Sequence, residues 1–368
     1  MQLVYLSPVQ WTSFAQRPHR FVEWYHSTTG AKVAWVDPYP TRLPSWRDLA
    51  RRGGAVQADN GGCPNWLTII RPKALPIEPL PGSGFVNKIF WREIFRKIAV
   101  ISKGKRVVIG IGKPSALALQ ALDLFGDSDS FYDAMDDFSA FYQGLSNRSM
   151  AEKESQIMSR VANAMVSSAT LYARWSATRP VSLVRNACSP AALPPAGQRR
   201  LPDGRPVLGY VGTIGQWFDW ELVRQIASVR PGLVVRVIGP MHNRPFCKLP
   251  SNVEILPACE HKAAMVFMAQ FSVGLIPFKI TTLTRSVDPI KYYEYRALGI
   301  PVMSSSFGEM SFHGDDKGAF LIPCGMSGGE IGAIIDAALC HRDAVQSIEK
   351  FRADNSWEAR FSKANLVT

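Results

Sequence analysis

Residues 286–301, SVDPIKYYEYRALGIP, decide the reading of this chain. Asp288 followed by Pro289 reads as an N-cap and a first helical position, because the carboxylate can accept orphan amide hydrogens and proline has none to leave unsatisfied. Gly299 and Pro301 stop the helix, glycine by tolerating a left-handed C-cap and proline by ending the ladder. The spacing predicts a helix of about three turns. Lys291 and Glu294 fall on one face of it, and Ile290, Tyr293 and Ala297 on another. The helix then runs into an apolar strand, PVMSS. Such a helix suits a nucleotide, with amides and a lysine for phosphate and a carboxylate for a ribose diol. A surface helix whose two charges are merely solvated accounts for the same residues.

Upstream of it, PVLGYVGTIG (206–215) predicts a strand ending in a tight loop at Gly212, Thr213 and Gly215, and DWELVRQIASV supplies the following helix. Glycines there let backbone amides approach a diphosphate closely, although a plain tight turn needs them equally. LVVRVIGP, NVEILP and SVGLIPF read as further strands and EHKAAMVFMAQ as a helix. The first half repeats the alternation: LVYLS, the helix RPHRFVEWYHS, the strand KVAWVDP, and LTIIRP (67–72) within a loop-rich stretch. Strands alternating with helices predict parallel sheets, and the fold class is α/β with two doubly wound, Rossmann-like domains.

Two segments of the first half carry further chemistry. NKIFWREIFRKIAVISKG (87–104) is a basic amphipathic helix, read with Ile89, Phe90, Ile94, Ile98 and Ile101 on its apolar face. That face serves either the core or an anionic membrane surface. SFYDAMDDFSAFY (130–142) sets Asp133, Asp136 and Asp137 at or just after a strand end among five aromatic side chains. Carboxylates held against apolar rings lose hydration and become plausible general bases, whereas aspartates at a helix start would simply meet its dipole. Arg17, His19 and Arg20 sit where the first strand hands over to its helix, the edge at which ligands of open α/β sheets collect.

With 368 residues, 46% hydrophobic and 20% charged, the composition is that of a globular protein with room for two cores. No run is long and apolar enough to span a bilayer and the start lacks a basic signal region, so a cytoplasmic chain is expected. Cys63, Cys188, Cys247, Cys259, Cys324 and Cys340 are scattered without a C-x-x-C pair and the histidines without an H-x-x-x-H pair, which predicts neither a disulfide framework nor a bound metal. Of the net charge of +12, residues 1–185 carry +9, from 23 basic and 14 acidic residues. Such a field attracts phosphates, nucleic acid or an anionic membrane. No nucleic-acid-binding motif accompanies it, and the aromatic residues at 131–142 are interleaved with acids, which disfavours a nucleic-acid partner.

The succession YVGTIG, VRVIGP, VEILP, VGLIPF and SVDPIKYYEYRALGIPVMSS resembles the C-terminal nucleotide-sugar domain of GT-B glycosyltransferases, the group-1 type of bacterial polysaccharide biosynthesis. QRPHRF and YDAMDDFSAF look like the matching N-terminal domain of a subgroup that includes teichuronic-acid-type transferases, with a more distant likeness to the xanthan glucuronosyltransferase. The resemblance covers most of the chain, more weakly over 40–105. It implies GT-B architecture, two Rossmann-like domains facing a cleft. Residues 1–188 would form an acceptor-binding domain, 189–206 a proline-rich linker, 207–345 a nucleotide-sugar domain, and 346–368 a C-terminal helix crossing back.

By the same resemblance Glu294 matches the carboxylate on the ribose hydroxyls, and Lys291 with the amides around Ser286 and Val287 the diphosphate contacts. The loop Gly212 to Gly215, with Thr213, faces sugar or phosphate, and the backbone at Pro257 the base. Asp136 matches the general base, with Asp137 its nearest competitor; Arg17, His19 and Asp133 lie on the acceptor side. Many retaining members carry a second glutamate eight positions before the one matching Glu294, and here that position is Ser286, so its sugar contact is absent or supplied by Asp288. Direct displacement with inversion then follows more naturally, with Lys291 and a helix N-terminus stabilising the leaving diphosphate. The expected activity moves a sugar from a nucleotide-diphosphate donor, UDP type before GDP, to a saccharide hydroxyl on a polyprenyl-diphosphate carrier at the anionic inner membrane surface. No cofactor is implied. A nucleotide-sugar 2-epimerase of the same fold is the alternative.

Overall fold

Strands buried on both faces need near-continuous apolar runs, and those runs form two wholly parallel sheets in a computed structural model of the chain. The structure describes residues 1–39, 63–75, 77–78, 83–126, 129–198, 204–246, 248–364 and 366. Most of the loop-rich stretch at 38–84, part of the linker expected at 189–206, and Cys247 lie outside them. Two compact units result, Met1–Val184 with Phe361–Thr368, and Arg185–Arg360.

The first unit runs β1 (Gln2–Leu6), α1 (Arg17–Thr29), β2 (Lys32–Val36), β3 (Leu67–Ile70), α2 (Ser83–Ser102), β4 (Val107–Ile111), α3 (Ala116–Leu124), β5 (Asp129–Ala134), α4 (Gly144–Arg160), β6 (Asn163–Val166), α5 (Ala169–Ser176) and β7 (Ser182–Leu183). Strand order is β3-β2-β1-β4-β5-β6-β7. The chain therefore works outward from β1 to β3 and returns to β4 on the other side of β1. This leaves a switch point between the carboxyl ends of β1 and β4, next to that of β5. Side chains alternate across β1. Val4 and Leu6 join the core beneath α2, α3 and α4, whereas Tyr5 packs on Phe21 of α1.

Helix α2 buries most of the face read for it, Ile94 and Ile98 with Ile101 partly buried, but the stripe is shifted toward Trp91 and Phe95. Asn87, Trp91, Ile94, Phe95 and Ile98 face inward, and Ile89 and Phe90 face solvent with Phe85, Val86 and Val100. Trp91 and Phe95 share the inner face with Ile94 and Ile98, whereas Ile89, five residues before Ile94, lies about 140° round the helix from it and faces outward.

The second unit runs β8 (Val207–Val211), α6 (Trp220–Val229), β9 (Val234–Ile238), β10 (Val253–Leu256), α7 (His261–Ala269), β11 (Val273–Ile276), α8 (Ile290–Ala297), β12 (Val302–Ser305), β13 (Ala319–Ile322), α9 (Gly328–Cys340), α10 (Val345–Asp354) and α11 (Trp357–Ser362). Strand order is β10-β9-β8-β11-β12-β13, with its switch point between β8 and β11. Two expected boundaries shift. Residues 189–198 belong to this unit and do not link two, because Cys188 pairs with the backbone of Asn355 and Leu193 packs on the core. Helix α10 also stays here, its Arg352 Nε donating to the Ala297 carbonyl at 2.7 Å. Only the last residues, from Phe361, join the first unit, with the Phe361 ring 5.2 Å from that of Phe21.

Tyr295 fixes α8 to the sheet. Its ring lies over Gly274 of β11, where an added Cβ would meet it at 2.3 Å. Its hydroxyl accepts from the Val211 amide at 3.2 Å and donates to the Gly209 carbonyl at 3.3 Å. Gly274→Ala is expected to displace this ring at a cost of about 1–3 kcal/mol, read as a lower urea midpoint. Gly232→Ala, with nothing within 4 Å of the new Cβ, is the control and should stay near wild type.

Candidate active site

At the carboxyl edge of the second sheet the loops after β8, β9, β11 and β12 gather. The Gly212 amide donates to the Ile238 carbonyl at 2.9 Å and the Lys279 amide to the Trp217 carbonyl at 2.7 Å. The Thr213 carbonyl accepts from the Tyr210 hydroxyl at 2.9 Å. Gly215 lies against the Trp217 ring, and Pro257 is exposed just beyond β10. One glycine here escaped the sequence reading. A Cβ on Gly239, at the end of β9, would fall 2.0 Å from the Gly212 carbonyl oxygen, so only glycine lets the two loops touch. Its place in VRVIGP, directly after a strand, was the available signal.

The helix at the centre of the sequence reading is shorter than expected. It spans Ile290–Ala297, about two turns, and Pro289 occupies the N-cap. Gly299 does take the left-handed conformation, at φ 69°. Lys291 and Glu294 sit on one face, half-buried and paired at 2.5 Å. Asp288 does not cap the helix. Its carboxylate accepts instead from the Asn186 amide at 2.5 Å and the Tyr293 hydroxyl at 3.1 Å, and it is 4% exposed, so it is not placed to replace a sugar-binding glutamate. Burial, with the Glu309 charge adding to it, pushes Asp288 up to about 7 against the pull of the Asn186 amide. Glu309, itself buried, pairs with Arg185 at 2.5 Å. The Val287 amide is spent on the Thr284 carbonyl at 3.1 Å, which removes it from the expected phosphate contacts. The Ser286 hydroxyl is buried and has no hydrogen-bond partner among the described residues.

In the first unit β5 places Asp133 inside the sheet and the other two acids beyond it. Asp133 is 0% exposed and takes Arg17 Nε at 3.0 Å and Nη2 at 2.8 Å, while Arg17 Nη1 donates to the Val184 carbonyl at 2.7 Å. The pair is a structural brace and not an acceptor contact; removing one partner of such a pair typically costs about 3–5 kcal/mol. His19 is likewise structural. Its Nδ1 accepts from the Gln16 amide at 3.2 Å, which leaves Nε2 to donate to the Trp11 carbonyl at 3.1 Å, and burial lowers its pKa. Arg20, on the outer side of α1, pairs with Glu23 at 3.0 Å.

Asp136 and Asp137 lie in the turn after β5, both half-buried. Asp137 accepts from the Ser139 hydroxyl at 2.6 Å and lies 3.4 Å from Arg174. The turn is folded on itself, since the Asp136 carbonyl takes the Phe138 amide at 3.1 Å. Among the described residues no group of three or more His, Cys, Asp or Glu side chains could hold a metal, and the described cysteines are free thiols.

No protein-family model matches the sequence. A 124-residue stretch, 32% of this chain, is 26% identical to TuaH of Bacillus subtilis, provisionally assigned as a teichuronic acid biosynthesis glycosyltransferase; the match spans 31% of that relative's length. Among solved structures, a sucrose-phosphate synthase from Thermosynechococcus elongatus superposes with a TM-score of 0.66 over 98% of this chain and 96% of its own, at 16% identity. The fold is GT-B. Anabaena HepE, solved with UDP and glucose, shares the GT-B fold at a TM-score of 0.62, 11% identity and coverage of 99% and 98%.

Stability should carry the signature of Asp288. Its folded state holds the proton more tightly than the unfolded chain, so its contribution is full below about pH 4 and is lost as pH rises to about 7. His313, which burial and the Arg185 charge lower to about 4, works in the opposite sense over part of that window, gaining stability as pH rises. Asp288→Asn separates the two. Its urea midpoint is expected to gain on wild type steadily between pH 4.5 and 7.5; a pH-independent difference would show that Asp288 does not titrate there.

Proposed function

We propose that this chain is a nucleotide-sugar-dependent glycosyltransferase, taking a UDP-type donor and delivering the sugar to a hydroxyl of a saccharide acceptor in cell-surface or exopolysaccharide synthesis. The observation that carries the reading is the Lys291–Glu294 pair, held at the carboxyl edge of a doubly wound sheet by a helix that Tyr295 locks to β8 and β11. Glu294 would accept the ribose hydroxyls. Lys291 and the amide end of α8 would face the diphosphate and stabilise the charge that develops on it as it leaves. The teichuronic acid assignment of TuaH and the UDP and glucose bound to HepE support this choice of chemistry.

On the acceptor side Asp136 is the base. Its place in YDAMDDF, which matches the general base of the transferases the chain resembles, carries this assignment; Asp137 is engaged by Arg174 and Ser139, and Asp133 by Arg17. Deprotonation of the acceptor hydroxyl by Asp136 as the nucleotide diphosphate departs gives inversion. Ser286 stands where many retaining enzymes carry glutamate, so the donor-sugar contact that glutamate would make is not supplied from this position.

The acceptor is carried on a polyprenyl diphosphate at the inner face of the cytoplasmic membrane. Helix α2 supports this placement. Its outward face sets Phe85, 82% exposed, and Ile89, 70% exposed, among Lys88, Arg92, Arg96 and Lys97, with Glu93 as its acidic residue. Apolar side chains ringed by cations are what an anionic headgroup layer receives. Among the described residues no helix is long and apolar enough to cross a membrane, so contact would be peripheral.

Thermal shifts with a panel of UDP-, GDP- and dTDP-sugars are expected to single out a UDP-sugar, because a ligand of the folded state raises the melting temperature. Asp136→Asn should lose transfer by roughly 10²–10⁴-fold while keeping that shift; normal turnover by the variant would remove the base assignment. Vesicles rich in phosphatidylglycerol should bind the protein at low salt and release it as salt rises. Phe85→Asp with Ile89→Asp should abolish vesicle binding and leave the nucleotide shift intact, and unchanged vesicle binding would overturn the role of α2.

A further inference from the structure

Behind the turn that carries Asp136 lies an acid the proposed chemistry leaves unused. Glu154, on α4, is 0% exposed. Its Oε1 accepts from the Tyr132 hydroxyl at 2.8 Å, whereas its Oε2 has no hydrogen-bond partner among the described residues and lies 3.6 Å from the Arg174 guanidinium. The other terminal nitrogen of Arg174 lies 3.4 Å from Asp137 Oδ1, and its guanidinium spreads over the Trp175 ring at 4.8 Å. One cation is thus shared between a carboxylate sealed in the core and another adjacent in sequence to Asp136. A buried acid with one unpartnered oxygen is costly to fold around, and an apolar residue would fill the space at less cost.

We propose that Glu154 is a positioning residue for the acceptor turn, its charge state deciding how much of Arg174 is left to hold Asp137 and, through that neighbour, setting the placement of Asp136. The inference rests on the assignment of Asp136 as base. The groups that face Glu154 are Tyr132 from β5, Asp137 from the turn and Arg174 from α5; Asp123 on α3 is paired away with Arg160 at 2.7 Å, and Asp133 with Arg17. Burial pushes Glu154 up to about 7, opposed by Tyr132 and Arg174 and reinforced by Asp137, so both charge states are populated near neutrality. Neutral Glu154 leaves the guanidinium to Asp137 alone. Ionised Glu154 divides it and loosens the turn.

Glu154→Gln tests this, since the amide carbonyl can still accept from Tyr132 and the volume is kept, but nothing titrates. The rate of transfer should coincide with wild type near pH 6 and differ by about 3–10-fold near pH 8, with donor KM unchanged at both. A constant offset across pH, or identical profiles, would overturn the inference. A second readout needs no substrate: the carboxyl ¹³C signal of Asp137 should show a step near pH 7 in wild type and lack it in Glu154→Gln. Absence of that step in wild type overturns the coupling whatever the transfer assay finds. Normal turnover by Asp136→Asn, with the step present, instead removes the base assignment and leaves the Glu154–Asp137 coupling standing.

Discussion

Parallel pairing is the constraint on which both units depend. A parallel strand cannot turn directly into its neighbour, so each must be followed by a crossover, and every carboxyl end falls on the same edge of its sheet. Residues far apart in sequence, such as Gly212, Gly239 and Ser286, are brought to one edge in this way, as Ser7, Lys113 and Asp136 are in the first unit. The same pairing leaves both faces of each sheet to be covered. Inner helix faces are accordingly rich in large rings, with Phe21, Trp91 and Tyr295 all fully buried.

Buried ion pairs then decide which acids are available for chemistry. Arg17 closes on Asp133, and Arg296, 6% exposed, is gripped by both Asp316 and Asp343, with Gly318 leaving room for its guanidinium. These networks hold loops and helices to strand ends and withdraw their carboxylates from solvent. An acid that looks exposed to reaction in a sequence can therefore be spent on the fold. Asp133 and Asp137 stand within five residues of one another, yet their surroundings differ because Arg17 reaches the first from α1 and Arg174 the second from α5.

That is also where the sequence stops being legible. Strand and helix alternation, the stop at Gly299 and the Lys291–Glu294 pairing are local and periodic, so they could be read directly. Arg17 and Asp133 are separated by 116 positions, and no local pattern reveals their pairing. The isoleucines of α2 marked Ile94 and Ile98 of its inner face, but that face is completed by Trp91 and Phe95, which leaves Ile89 and Phe90 in solvent. The proline-rich stretch after Cys188 reads as a linker because its composition is that of a loop; only the backbone pairing of Cys188 with Asn355 shows where it belongs.

The Lys291–Glu294 pair carries a last consequence for the proposed donor. Half-buried, the two charges satisfy each other, so neither pays the full cost of burial without a partner. At an effective dielectric of about 20, two unit charges in contact interact by roughly 4 kcal/mol before desolvation and entropy are counted, and the net value of such a pair is about 1 kcal/mol or less near a surface. A nucleotide that offers phosphate to the lysine and a diol to the glutamate replaces this single contact with several charge-assisted ones. Splitting the pair is then cheap, and the geometry is already set, because Tyr295 fixes the helix whether or not the site is filled. The site can thus be both quiet when empty and ordered when occupied.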